Sequence, residues 1–186
     1  MKTILHTTQT VYRQLVNAMS RPGHTEIITE EVKNYSDFSD AALLIAMTLF
    51  DNEISFFSRD KTMRKELKVL TGGIPNKDYT TADFIVSKEA DLKEEYFTEV
   101  MHGILISPEK SATLIIEADS IGEDNAYRLS GPGIKDTTDV SLSLDSRWIE
   151  LRNEMCKEFP LGIDLILTDK NNGVVMIPRT SKVEVL

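Results

Sequence analysis

Arg21 and Arg179 each stand beside a turn, in Ser20-Arg21-Pro22-Gly23 and Pro178-Arg179-Thr180. A guanidinium presents a planar fork of N–H donors that matches two oxygens of a phosphate or phosphonate. Both arginines, with the Ser20 and Thr180 hydroxyls beside them, are therefore candidate anion-binding groups. A third turn, Leu129-Ser130-Gly131-Pro132-Gly133-Ile134, contains Gly131 and Gly133. Glycine lets the backbone approach a ligand closely and can aim consecutive N–H groups at an anion; Gly23 brings the same freedom to the first turn. Each turn also has a plainer explanation that stays open. An arginine after a helix can bond the last carbonyls and complement the negative end of the helix dipole, and Gly-Pro-Gly is ordinary turn chemistry.

Two carboxylates deserve the same double reading. Asp164, in Phe159-Pro160-Leu161-Gly162-Ile163-Asp164, is a ligand or base, or else holds a neighbouring loop or arginine. Asp83, in Thr81-Ala82-Asp83-Phe84, is a catalyst or makes an Asx-type bond to backbone. The structural role is the commoner for both. Familiar catalytic signatures do not occur. His6, His24 and His102 lie at no zinc spacing with Cys156 or with one another, so no metal is expected. There is no Gly-x-Ser-x-Gly elbow, no Walker A loop and no Gly-x-Gly-x-x-Gly after a strand. Cys156, with nothing local to favour its thiolate, reads as a small helical filler.

The formal charge of -9 argues against nucleic acid, whose binders need a basic face to replace phosphate counterions. An anion site must then be local, working against an unfavourable overall field. The lone cysteine excludes an intrachain disulfide and fits a reducing, cytoplasmic setting. The longest apolar run, Ala41 to Leu49 interrupted by Thr48, is too short to span a bilayer, and no signal-peptide core follows Met1. The Asn34-Tyr35-Ser36 sequon is then a chance match.

The elements that must position these turns follow from periodicity. Val11, Leu15, Ala18 and Met19 predict a helix over 8–20, capped by Thr7 or Thr8 and stopped at Arg21-Pro22-Gly23. A second helix, apolar nearly all round, runs from Ser39 or Asp40 to about Phe50. A third starts at Asp60 and ends at Gly72-Gly73. Helices are also expected over 90–102 and 146–157, and strands over 25–29, 54–57, 82–87, 112–117, 127–130, 140–144, 163–168 and 174–177, the last two joined as a hairpin by Asp169-Lys170-Asn171-Asn172-Gly173. This is a mixed sheet with helices packed on it, an α/β layered fold in one domain, 1–186.

Taken in order, the segments Tyr12 to Gly23, Thr81 to Phe84, Pro108-Glu109-Lys110-Ser111-Ala112-Thr113, Leu129 to Ile134, and Phe159 to Leu165 followed by Pro178-Arg179-Thr180 resemble the PhnH family. The resemblance spans nearly the whole chain. It implies a three-layer fold, a mixed sheet between helices, like that of pyridoxal-phosphate-dependent transferases but without the cofactor; no lysine here has the context of a Schiff-base former. It implies a homodimer that joins the other core subunits of the bacterial carbon–phosphorus lyase. That system couples an alkylphosphonate to the ribose of ATP, giving ribose 1-methylphosphonate 5-triphosphate, before a separate iron–sulfur radical subunit breaks the carbon–phosphorus bond. The chain is then a component of a transferase/lyase complex that is not catalytic alone, with no catalytic residue assigned. Alternatives are a phosphonate- or nucleotide-binding component supplying arginine contacts, and a purely structural assembly subunit. The segment Met1 to Thr10 departs from the family pattern, in which a Gly-Phe-x-Asp-Pro-Val-type stretch leads into the first helix.

Overall fold

The computed structural model describes residues 4–186. In chain order, α1 (Ile4–Ser20) and β1 (Glu26–Ile27) lead to α2 (Asp40–Leu49), β2 (Ser55–Phe57), α3 (Lys61–Thr71) and β3 (Ile74–Pro75). Next come β4 (Phe84–Lys88), α4 (Glu95–Thr98), the hairpin β5 (His102–Ile104) and β6 (Ser107–Ser111), then β7 (Thr113–Glu117), β8 (Ile121–Ser130) and β9 (Thr138–Leu142). The chain closes with α5 (Ser146–Met155), β10 (Asp164–Thr168), β11 (Gly173–Ile177) and β12 (Lys182–Val185).

Seven strands form the main sheet in the order β1-β11-β10-β7-β4-β2-β3. Its pairs from β10 through β7, β4 and β2 to β3 are parallel, and β11 runs antiparallel to β10 and β1. Because side chains alternate along a strand, register sorts the core into rows. Ile85, Leu114, Leu165 and Ile177 lie in one row across four strands, and Val86, Ile115, Ile166 and Met176 in the next, on the opposite face. The first row packs with Trp148, Phe97 and the antiparallel sheet β12-β8-β9; the second packs with α1, α2 and α3. Burying each such side chain is worth roughly 1.5–3 kcal/mol, and a sheet covered on both faces accounts for the unbroken apolar runs of β7, β10 and β11.

Helix faces follow from spacing. α1 buries Thr7, Val11, Leu15 and Ala18, while every residue from Ala41 to Ala46 of α2 is inaccessible to solvent. Ser39 caps α2 by accepting from the Ala42 N–H at 3.2 Å, and Asp60 caps α3 by accepting from Met63 N–H at 2.6 Å. Gly72, at φ +77, ends α3 in the left-handed conformation glycine tolerates. Among the described residues no helix is long and apolar enough to cross a membrane.

Three expectations fail. Thr7 and Thr8 do not cap α1, which is already helical at Ile4; the Thr8 hydroxyl instead donates to carbonyls of the preceding turn. The helix expected over 90–102 is reduced to the single turn α4. Leu92, Tyr96, Phe97 and Val100 are buried as an amphipathic helix would have them. However, Ala112 N–H bonds the Met101 carbonyl and His102 pairs with Ser111, which draws the segment's end into an extended hairpin. Finally, β12 completes the smaller sheet beyond the last expected strand, and β8 is ten residues long where only 127–130 was expected.

Candidate functional site

The turn after α1 is held at both ends. Arg21 N–H bonds the Asn17 carbonyl at 3.1 Å, and Gly23, at φ +83, donates to Met176 on β11 at 3.4 Å. The β8–β9 turn lies against it. Gly133 also has φ +83, and a Cβ there would lie against the Ser20 carbonyl oxygen and 3.1 Å from Pro22 Cδ. On its other side Gly131 abuts the β11–β12 turn, where a Cβ would sit 2.9 Å from the Thr180 carbonyl oxygen. The structure therefore brings together Ser20, Arg21, Gly23, Gly131, Gly133, Arg179 and Thr180, from three turns far apart in the chain.

Two depressions meet at Gly133. One, of about 490 Å³, is walled chiefly by Met19, Pro108, Phe159, Pro160 and Pro178, with Asp164, Arg179 and Thr180 at its polar end. The other, of about 550 Å³, is polar and contains Arg21, His24, Lys135, Thr137 and Thr138. Both lie at the amino ends of the parallel strands, opposite the carboxyl-end crevice where open α/β sheets usually bind ligands.

The arginines differ sharply in availability. Arg179 donates from Nε to Asp164 Oδ2 at 3.1 Å and from Nη1 to the Pro108 carbonyl at 2.6 Å, and its Nη2 completes a bidentate pair with Asp164. Asp164 also accepts the Arg179 backbone N–H at 2.7 Å. A phosphate would have to compete with a largely buried carboxylate for this guanidinium. Arg21 is exposed and forms no ion pair among the described residues. Asp139, at the edge of the polar groove, is already matched by Arg128 through bonds of 2.8 and 2.9 Å; that pairing pulls the Asp139 carboxyl below and the Arg128 guanidinium above their ordinary ranges. The charge left facing the groove is cationic, from Arg21 and Lys135, with His24 Nε2 3.8 Å from Glu26.

Asp83 stands elsewhere, accepting from the Ser55 N–H and hydroxyl at 2.8 and 2.7 Å and so locking β2 to β4. Cys156 closes α5, its thiol donating weakly to Ile163 carbonyl at 3.6 Å and pushed up by burial. Sequence reasoning missed Arg152. Fully buried, it donates from Nη1 to Ser181 carbonyl at 2.8 Å and Asn153 Oδ1 at 3.0 Å, and from Nη2 to the Pro178 carbonyl, clamping the turn that carries Arg179 and Thr180. Burial lowers its affinity for the proton. Its signal was an arginine in register with buried Trp148 and Ile149 on one helix face.

A second polar row was also missed. Lys88, Glu117 and Thr168 end β4, β7 and β10 in register at the carboxyl edge. The buried Glu117 carboxylate accepts the Ser39 N–H at the start of α2, and Lys88 Nζ lies 4.0 Å from Glu117 and 2.6 Å from Asp37, holding the Asp37 carboxyl down. An internal carboxylate thus occupies the helix end an external anion would seek. Among the described residues no group of three His, Cys, Asp or Glu side chains is placed to hold a metal.

The chain is 30% identical over 177 residues to the C-P lyase subunit protein HtxG of Stutzerimonas stutzeri, covering 94% of this chain and 85% of that protein. It is 27% identical over 183 residues to the alpha-D-ribose 1-methylphosphonate 5-triphosphate synthase subunit PhnH of Rhizobium meliloti (strain 1021), covering 95% and 90%. The model of the bacterial phosphonate metabolism protein family PhnH matches residues 1–184, so this chain belongs to the PhnH family.

Proposed function

We propose that the chain is a subunit of a carbon–phosphorus lyase core complex in phosphonate catabolism. In that role it supports the formation of ribose 1-methylphosphonate 5-triphosphate from ATP and an alkylphosphonate. The observation that carries this is the family match over residues 1–184, joined by relatives described as a C-P lyase subunit and a synthase subunit. The chain acts in the cytoplasm, as a homodimer bound to the other core subunits, without pyridoxal phosphate and without completing a transferase or lyase step alone. A mostly parallel sheet covered on both faces supports kinship with the pyridoxal-phosphate-dependent transferase architecture.

Association is supported by exposed apolar surface. Ile104, Leu105 and Ile106 at the β5–β6 hairpin are 51%, 74% and 89% exposed. Tyr12, Val16 and Met19 form an outward stripe on α1, and such surfaces mark interaction sites more often than chance contacts. A contribution to ligand binding is favoured by one specific feature, the exposed Arg21, which lines the polar groove with Lys135 and His24 and has no ion pair among the described residues. Phosphoryl groups are held by positioned cations and N–H donors rather than by a protein nucleophile.

Co-expression with the partner subunits, followed by size exclusion and titration calorimetry with ATP and methylphosphonate, tests both statements. The expected result is a stable assembly whose ligand affinity falls about tenfold, roughly 1.4 kcal/mol, in Arg21→Ala. A chain that neither dimerises nor co-purifies with those subunits refutes the subunit role. Unchanged affinity in Arg21→Ala removes the groove from it.

A further inference from the structure

A surface on the far side of the fold from these turns combines apolar floor and basic rim. Between α3 and the segment preceding α2 lies a groove of about 390 Å³ lined by Lys33, Tyr35, Thr62, Lys65, Val69 and Leu70, together with the stem of Glu66. Tyr35, Val69 and Leu70 are 68%, 75% and 44% exposed, and the Lys33 ammonium stands 5.0 Å over the Tyr35 ring. On α3 the side of the helix that packs inward is already supplied by Met63 and Leu67. Val69 and Leu70 therefore form a second apolar face that the fold does not use.

The charge at this place opposes that of the whole molecule. The chain carries -9, yet α3 bears Lys61, Arg64, Lys65 and Lys68 against one acid, Glu66. Glu66 is nine-tenths buried, and its two oxygens accept the Tyr35 and Ser36 N–H groups at 2.9 and 3.0 Å, fixing the groove's wall. With Lys33 on the opposite wall, an apolar slot is bordered by cations on both sides.

From this complementarity we infer that the groove is a docking site for an acidic, apolar-bearing segment of another protein subunit, an inference that rests on the subunit role proposed above. Apolar side chains of that segment cover Tyr35, Val69 and Leu70, and its carboxylates meet Lys33 and Lys65. A bilayer does not fit as well, because the apolar residues line a recess and the molecule's net charge repels anionic lipid. Nucleic acid is disfavoured by the same net charge and by the apolar floor.

The test places the photocrosslinker p-benzoylphenylalanine at Val69 in the chain co-expressed with its partner subunits, irradiates the assembled complex and sequences the adduct. Lys33→Glu/Lys65→Glu is examined in parallel by association kinetics. The expected adduct is a Glu/Asp-rich segment of a partner subunit, with association slowed about tenfold by the charge reversal and by raising salt to about 0.5 M. If the complex forms but the adduct is this chain itself, lipid, nucleic acid or nothing, the docking site is refuted while the subunit role stands. Unchanged association of the reversed variant likewise refutes it. If no complex forms at all, the subunit role fails and the docking site with it. All three substituted positions are exposed, so loss of folding does not confuse the outcome; circular dichroism of each variant verifies this.

Discussion

Gly133→Ala, read beside Gly122→Ala, measures whether the three turns meet as described. Both glycines have positive φ, +83 and +100. At Gly122 an added Cβ meets nothing within 4 Å, so that variant registers only the backbone penalty. A non-glycine residue in this region costs about 1–2 kcal/mol, offset by about 0.4–1 kcal/mol from a stiffer unfolded chain, leaving a loss near 1 kcal/mol. At Gly133 the same penalty applies, and the new methyl also presses on the Ser20 carbonyl oxygen and on Pro22 Cδ at 3.1 Å. Neither neighbour is the free end of a side chain: one is backbone at the close of α1, the other a buried ring. Overpacking of this kind costs about 1–3 kcal/mol, so the total loss is about 3 kcal/mol. The gap of about 2 kcal/mol corresponds to roughly 4–8 °C in Tm for a chain of this size. Paired urea and thermal melts read it directly. Equal losses in the two variants would show that the β8–β9 turn does not lie against the end of α1, and the combined site would dissolve with that contact.

Three further outcomes test other parts of the structure. Arg179→Met strands the Asp164 carboxylate, which is 8% exposed and keeps only its backbone donor at 2.7 Å; a loss of about 3 kcal/mol in urea melts is expected, partly restored by adding Asp164→Asn, and no loss would mean the pair is not formed. Burial pushes the Tyr127 phenol from 10.0 to about 12, its hydroxyl donating to the Leu144 carbonyl. The unfolded chain therefore ionises first, so the stabilisation is whole below pH 10, declines as pH rises toward about 12, and totals about 2–3 kcal/mol; Tyr127→Phe should flatten that alkaline slope, and an unchanged slope would assign it to other groups. Burial also pushes the Cys156 thiol up, so labelling by a disulfide reagent at pH 8 should be slow in the native protein and rapid in urea; fast native labelling would contradict the packing around Ile163.

What could be read in advance was whatever rests on local chemistry. Ser39 and Asp60 announce their helices because a cap needs an acceptor two or three residues before a free N–H. The centres of β7, β10 and β11 are uninterrupted apolar runs because both faces are covered. The turns at 20–23, 131–133 and 178–180 stand out by composition, but their meeting in space depends on a sheet order that places β1 beside β11 and brings the β8–β9 turn onto the same edge, which no spacing encodes. The segment 90–102 misleads for a related reason: its apolar spacing is helical and its burial is as a helix would have it, yet cross-strand pairing at His102 takes the backbone out of the helix.

The two arginines of the site show where local reading ends. As residues beside turns, Arg21 and Arg179 are equivalent in sequence; the expectation that Asp164 holds a neighbouring loop or an arginine is met, and the fold identifies that arginine as Arg179, held also by the Pro108 carbonyl, while Arg21 faces the groove. Arg152 inverts the case. It sits in an apolar helical stripe where a charge is costly, with no carboxylate within ion-pairing distance among the described residues. It is retained by main-chain carbonyls from either end of the Pro178–Ser181 turn. A buried cation with only carbonyl partners contributes little net stability, but a methionine in its place would take the guanidinium donor from the Ser181 carbonyl, leave the Pro178 carbonyl with only the Ser181 N–H at 2.9 Å, and free the turn to move. Its physical consequence is therefore conformational: it fixes the position of Thr180 and Arg179 against Gly131, and hence the boundary between the apolar cleft and the cationic groove.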